Sequence, residues 1–355
     1  MSQPVLASKI GGSKDVLGRL ADVTRVHAEA TLAERLVELR AFVHDDLAAV
    51  EEALRLIERR TTPLHDSAHH LLALGGKRLR PLCVALAARM GEGFGPTARA
   101  VAVSVELVHN ATLLHDDVVD LGDVRRGAPA ARVIYGNAAS IFAGDWLLVD
   151  ALARMQATGE SELVARILEV LKEMLQGESL QLKNRGVLRS SLEDYFRVVE
   201  GKTASLFGFA LYGGGRAGLL GPAACASLEV FGRKLGVAFQ VIDDVLDVAG
   251  DAATIGKSTF ADLREGKATY PLLLATANEP TLVADLEAAL AQGELPPSLE
   301  AAVGVAVRRT GAVEETRALA KKLSDEGVQA IADLPETPAK LALLDVAQAM
   351  LSRKK

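Results

Sequence analysis

The strongest constraint on the fold is a succession of long segments whose apolar residues recur every three or four positions. They occupy 31–60, 64–90, 96–120, 138–155, 160–175, 192–211, 223–248 and 263–277, with shorter ones towards the C-terminus. No alternating, strand-like run of useful length interrupts them. Composition agrees: 49% of the residues are hydrophobic but only 4% aromatic, so Ala, Leu and Val dominate. A sheet sandwich would draw on more aromatic and β-branched residues, so the balance favours packed helices. Gly and Pro clusters at 75–76, 91–95, 213–215 and 295–297 punctuate the segments; those at 91–95 and 213–215 are read as helix-connecting turns. None of these clusters precedes the Lys-Ser/Thr of a P-loop or follows a predicted strand. Residues 1–30 show little periodicity and are expected to be a weakly ordered extension, with 31–355 as the folded domain.

Charge and cysteine usage narrow the function classes. The formal charge of -6 argues against a nucleic-acid surface, which shows a basic excess, though it leaves room for a local basic pocket. Cys83 and Cys225 both lie among apolar residues and read as reduced core thiols of a cytoplasmic protein. The first fifteen residues contain no apolar signal core, and no run of 18 apolar residues is free of charge, so no membrane anchor is expected.

Two acidic triplets carry the chemistry. LVHNATLLHDDVVD contains Asp116, Asp117 and Asp120, and FQVIDDVLD contains Asp243, Asp244 and Asp247. Residues four apart on a helix lie about 40° apart, so Asp116 shares a face with Asp120, and Asp243 with Asp247. Like charges at that spacing destabilise a helix by roughly 0.2–0.5 kcal/mol per pair, and the apolar stretches before them add desolvation. Bound divalent cations reverse both penalties, and carboxylates without His or Cys partners suit hard ions such as Mg2+. One triplet alone could be a solvated helix end; two in matched apolar contexts make a stronger signal. The sequence contains its own control at His44-Asp45-Asp46, where position 49 is Ala and the third carboxylate is missing. His65 and His69 have metal-ligand spacing, but no third ligand is identifiable, so they read as structural.

Cations gather beside the triplets. Gly75-Gly76-Lys77-Arg78-Leu79-Arg80-Pro81 places three in a turn leading into a helix, where exposed N–H groups also favour an anion. Arg125 and Arg126 follow the first triplet, Lys202-Thr203 opens a helix, and Lys257 and Lys267 follow the second triplet. In a net-acidic chain this pattern implies anionic substrates bridged by metals.

The ordered set GGKRLRP, HDDVVD with RRG, GKTASLF, FQVIDDVLD and GKSTFADLREGK resembles the trans-isoprenyl diphosphate synthase (polyprenyl synthetase) family, over about 71–271. The wording ATLLHDDVVD looks like the synthases of octaprenyl-sized chains. The resemblance implies an all-α, single-domain antiparallel helical bundle around a central active-site cavity, and a homodimer. It also implies an enzyme that condenses an allylic diphosphate with isopentenyl diphosphate by ionisation, condensation and elimination, with three Mg2+ ions. Asp116, Asp117, Asp120, Asp243, Asp244 and Asp247 match the metal sites. Lys77, Arg80, His109 and Arg126 match the isopentenyl diphosphate site; Arg125, Lys202, Thr203, Gln240, Lys257 and Lys267 match the allylic diphosphate site. His109 precedes Asp116 by seven residues, about 20° away around the helix, and so shares its face. Phe260 stands where the family usually has Gly, which puts the closure of that loop in question.

In this family, residues just before the first triplet help set product length. Ala111 and Thr112 are small there, which points to a medium-to-long polyprenyl diphosphate, with geranylgeranyl and farnesyl diphosphate as alternatives. A terpene cyclase would share the fold and the first triplet but has no use for GGKRLRP. A catalytically silent partner subunit is expected to lose a triplet, and both are intact.

Overall fold

The computed structural model describes residues 30–249 and 260–353. The chain runs through α1 (Ala30–Phe42), α2 (His44–Arg55), α3 (Pro63–Ala73), α4 (Leu79–Arg89) and α5 (Pro96–Val119). A ribbon of β1 (Val124–Arg125) and β2 (Ala128–Pro129) leads to α6 (Ala131–Tyr135), α7 (Asn137–Ala157) and α8 (Ser161–Lys183). Then come α9 (Leu192–Val199), a π-helical turn (Glu200–Ala204), α10 (Ser205–Ala217) and α11 (Pro222–Ala249). The final group is α12 (Ala261–Arg264), α13 (Tyr270–Thr276), α14 (Pro280–Ala291), α15 (Pro297–Thr310), α16 (Ala312–Ala330) and α17 (Pro338–Leu351). The expected all-α bundle is what forms. Almost all of the 1–30 extension, and Lys257, lie outside the described residues.

Local chemistry explains many of the helix starts. Thr62, Ser191 and Thr337 each accept a hydrogen bond from the backbone N–H three residues on, and Pro stands in the first turn of α3, α5, α14, α15 and α17. Packing then sets the layers. α5 lies against α4, α7 and α10, while α10 is held between α4 and α11, and α11 packs in turn on α16. One large core includes Leu82, Leu107, Leu147, Phe207 and Phe231; smaller cores form around Val241 and around Leu286.

The structure corrects three local readings. The segment 31–60 breaks at Val43 into α1 and α2. The glycines at 213–215 lie inside α10, buried, and make no turn. A Cβ on Gly214 would sit 2.5 Å from the Val84 carbonyl oxygen, one on Gly213 2.9 Å from Val101 and one on Gly215 3.0 Å from Leu228, so these glycines allow close approach of α10 to α4, α5 and α11 in turn. Lys202 and Thr203 do not open a helix; they sit in the π-helical turn that joins α9 to α10. Among the described residues the β1–β2 ribbon is the one departure from helix, and Arg126 and Gly127 at its tip have φ of 53° and 79°. Paired positive φ values suit a two-residue hairpin turn, which is too short to register as alternation in the sequence.

Candidate active site

The first triplet closes α5. Asp116 and Asp120 are half-buried on one face, as the four-residue spacing requires. Lys202 Nζ lies 3.4 Å from Asp116 Oδ2, while bonding Glu178 at 2.6 Å and Gln181 at 3.0 Å. Burial raises the Asp116 carboxyl above its ordinary range, with Lys202 opposing. Asp120 differs, because Arg185 and Lys267 each donate to one of its oxygens at 2.8 Å. Burial would raise it, but those cations and Lys202 hold it below the usual carboxylate range. Asp117 turns inward at 1% exposure, and its Oδ1 accepts twice from Arg125, at 2.8 and 2.5 Å.

The second triplet closes α11. Asp243 accepts from Arg353 at 2.8 Å. Asp244 is buried and accepts from the Tyr195 hydroxyl at 2.6 Å, Gln240 Nε2 at 3.0 Å and the Tyr270 N–H at 3.3 Å. Burial, with Asp262 nearby, pushes its carboxyl up to about 7 in spite of these donors. Asp247 accepts from the N–H groups of Ala261 and Asp262 at 2.9 and 3.3 Å, so it supports the start of α12. Phe260, just before that helix, has φ of 62°. This left-handed region favours glycine and costs other residues about 1–2 kcal/mol, yet the turn forms with Phe in place.

The cations bring the motifs together. Lys267, downstream of the second triplet, reaches Asp120 of the first across 147 positions. Lys77 lies over the Phe239 ring at 5.8 Å, and the Arg353 guanidinium over the same ring at 4.8 Å. Arg80 is stacked on Phe207 at 4.6 Å, and Phe207 touches Phe239 with ring centres 5.7 Å apart. Burial lowers Arg80 to about 10. Burial, together with Arg80, Arg126, Arg125 and Arg78, holds His109 well below the ordinary imidazole value and thus neutral. Thr203 donates to Gln240 at 3.2 Å. Arg125 faces the middle aspartate of the first triplet, whereas Arg126 lies against the Gly75–Gly76 turn. A two-sided cleft results, with carboxylates and lysines at the helix ends and Arg80, Arg125 and Arg126 towards His109. His65 and His69 lie apart from it, bonded to Thr62 Oγ1 and the Glu58 carbonyl and packed against Trp146.

A family profile described as polyprenyl synthetase matches residues 61–302 of this chain. The chain belongs to the polyprenyl synthetase family. It is 36% identical to octaprenyl diphosphate synthase of Escherichia coli (strain K12) over 326 residues, which cover 90% of this chain and 98% of that one. It is 35% identical to heptaprenyl diphosphate synthase component 2 of Geobacillus stearothermophilus over 316 residues, 88% of this chain and 97% of the relative. A crystal structure of a polyprenyl synthase from Caulobacter crescentus, complexed with calcium and isoprenyl diphosphate, superposes with a TM-score of 0.84 at 34% identity, covering 89% of this chain and 97% of that one. This polyprenyl synthetase is therefore an all-helical trans-prenyltransferase, and its product is an all-trans polyprenyl diphosphate of medium-to-long chain.

Sequence reasoning missed several groups at this site. Arg185, Tyr195, Glu106 and Arg353 lie 65, 49, 28 and 110 positions from the partners that reveal them. A buried Glu on the apolar face of a helix was the one legible signal among them.

Proposed function

We propose that the cleft between the two triplets binds both diphosphates together, allylic and isopentenyl. The observation that carries this is the Lys267–Asp120 contact, which joins the second motif's loop to the first motif's helix at 2.8 Å. The donor set fits Mg2+: Asp116, Asp120 and Asp243 offer oxygen only, and each is partly exposed towards the cleft. Asp117, Asp244 and Asp247 would support these three: Arg125 holds Asp117 Oδ1, leaving its buried Oδ2 unpaired, while Tyr195, Gln240 and backbone N–H groups engage both oxygens of Asp244 and Asp247. Among the described residues no three such side chains converge enough to hold an ion alone, so diphosphate oxygens would complete the coordination. Three ions would then be held when both substrates are present, and the Caulobacter relative's calcium and isoprenyl diphosphate support the pairing of ion and ligand.

When bound, the metals supply charge neutralisation as the allylic C–O bond breaks. Lys202 and Lys267 neutralise the departing diphosphate, with Arg125, Thr203, Gln240 and Lys257 beside them. Lys77, Arg80, Arg126 and neutral His109 hold isopentenyl diphosphate. Its double bond attacks the allylic cation, and the proton is lost to the released diphosphate. Apolar walls exclude water, and no nucleophilic side chain is needed. Ala111, buried, and Thr112, half-buried one position on, are small, so a growing chain would pass them without meeting a bulky ring.

We assign residues 31–355 to one catalytic domain working in the cytoplasm; no described helix is long and apolar enough to cross a membrane. The active form is a homodimer. Phe142 and Val149 of α7, and Leu168, Leu175 and Leu182 of α8, are exposed at heptad spacing on adjacent helices and form stripes that a second copy would cover. The word component in the Geobacillus relative's name adds an unlike subunit as the competing partner. Purified alone, the protein should have the mass of two chains and turn over; activity only after a second protein is added would overturn the homodimer. Incubation with isopentenyl diphosphate and geranyl, farnesyl or geranylgeranyl primers should give a medium-to-long product. Ala111→Phe should shorten it, because a ring there overpacks the path by about 1–3 kcal/mol. A wild-type product ending at farnesyl diphosphate would refute the role of Ala111.

A further inference from the structure

Among the cations of the GGKRLRP turn, Arg78 is the one that points away from the cleft. Its backbone is left-handed, φ 49°, at the N-terminus of α4, and its guanidinium is only 8% exposed. Nη1 donates to Glu106 at 2.5 Å and Nε to Glu51 at 2.6 Å. Glu106 is 2% exposed in the middle of α5, one helical turn before His109, and it also accepts from Asn110 Nδ2 at 3.3 Å. The turn backbone rests on this pair. A Cβ on Gly76 would lie 3.0 Å from Arg78 Nη1 and 3.1 Å from Arg126 Nη2. Arg80, two residues on, is half-buried, and its Nε, shut away from solvent, has no hydrogen-bond partner.

An ionised carboxylate deep in a helical core is unfavourable unless it is paired, and removing one member of a buried pair leaves the other uncompensated. Glu106 is therefore retained for what it holds. We infer that Glu106 is a positioning residue for isopentenyl diphosphate: by neutralising Arg78 it locks the 75–80 turn so that Lys77 and Arg80, and not Arg78, meet the anion. The inference rests on the assignment of that turn made under Proposed function. The surrounding charge supports it. Arg80, Arg126, Arg125 and Arg78 all act on His109, and Glu106 is the buried carboxylate that favours the charged forms of Arg78 and Arg80. Without it, the Arg78 guanidinium keeps only the half-exposed Glu51 as an anionic partner, and the strained backbone at Arg78 loses its buried tether.

Glu106→Gln keeps the shape and removes the charge. It should raise KM for isopentenyl diphosphate about tenfold, leave KM for the allylic primer within about twofold, and retain the helical circular dichroism. Adding Arg78→Met to Glu106→Gln should cost no more than the worse single change, because both act through one contact. Glu51→Gln perturbs the same guanidinium from its half-exposed side and should shift the same KM about two- to threefold, so it decides the matter if Glu106→Gln does not fold. Unchanged isopentenyl KM in these variants, equal shifts in both KM values, or additivity of the double variant would each overturn the role of Glu106. Arg80→Ala is the reference for the turn itself. Should Arg80→Ala alter allylic rather than isopentenyl affinity, the pocket assignment fails; should it alter isopentenyl affinity while Glu106→Gln does not, only the positioning role fails.

Discussion

The two acidic triplets are spelled almost alike, HDDVVD and IDDVLD, yet the fold treats them differently. At the first, long cationic side chains from distant parts of the chain reach the outward carboxylates: Lys202 approaches Asp116, while Arg185 and Lys267 share Asp120. The result is that Asp120 is held below its ordinary range, while burial raises Asp116 beside it. Both middle aspartates are buried, but Asp117 meets a guanidinium, that of Arg125, whereas Asp244 at the second triplet has Tyr195, Gln240 and the Tyr270 N–H around it. The third aspartate of the second triplet supports the start of α12, and among the described residues only Asp243 of this triplet meets a long cationic side chain, that of Arg353. Identical residue types thus divide into a loose electrostatic surface and a rigid hydrogen-bonded support. The difference follows from what packs against each helix end: the turn after α8, the π-helical turn and the loop before α13 bring cations to one, whereas α9 brings the Tyr195 hydroxyl and α13 the Tyr270 N–H to the other.

The largest expected effect tests whether both ends serve the same chemistry. Asp116→Asn and Asp243→Asn should each lower kcat by about a thousandfold or more with the fold intact, measured as isopentenyl diphosphate incorporation over a range of Mg2+. A near-wild-type rate in either one would remove that triplet from the reaction. A smaller effect should separate the support from the surface. Tyr195→Phe removes one donor from the buried Asp244 carboxylate and should cost about 1–3 kcal/mol of stability, read as a lower denaturation midpoint. No loss of stability would mean that Asp244 is not held by its tyrosine. The smallest effect belongs to the first triplet. Arg185→Ala takes a partly exposed competitor from Asp120, so half-saturation by Mn2+, followed by the resonance signal of the free ion, should fall about two- to threefold. A rise would show that Arg185 assists the ion instead of competing with it.

Position in the chain made much of this legible. Helical periodicity established the class, because the spacing that buries one face of a helix is a local property. The shared face of Asp116 and Asp120 followed from the same geometry, as did His109 one step back on α5. The motifs GGKRLRP and GKTASLF could be quoted directly as they stand. Misreadings arose where local and tertiary demands conflict. Three consecutive glycines, 213 to 215, read as a turn, but they lie in α10 because α5, α4 and α11 pass too close for side chains. Lys202 read as a helix start, but the helix continues through a π-helical turn, with the Gly201 carbonyl accepting from Ser205 Oγ.

Sequence by itself determined the helices, the paired carboxylates and the family, since each depends on residues within a few turns of one another. Tertiary structure alone decided which carboxylates remain towards the cleft and which are taken into the protein. It also sorted the cations of one turn, sending Arg78 to Glu106 and Glu51 while Lys77 and Arg80 stack on Phe239 and Phe207. The physical reason is desolvation. A buried charge is tolerated only where an opposite charge or donor meets it, and those partners come from helices that are distant in sequence.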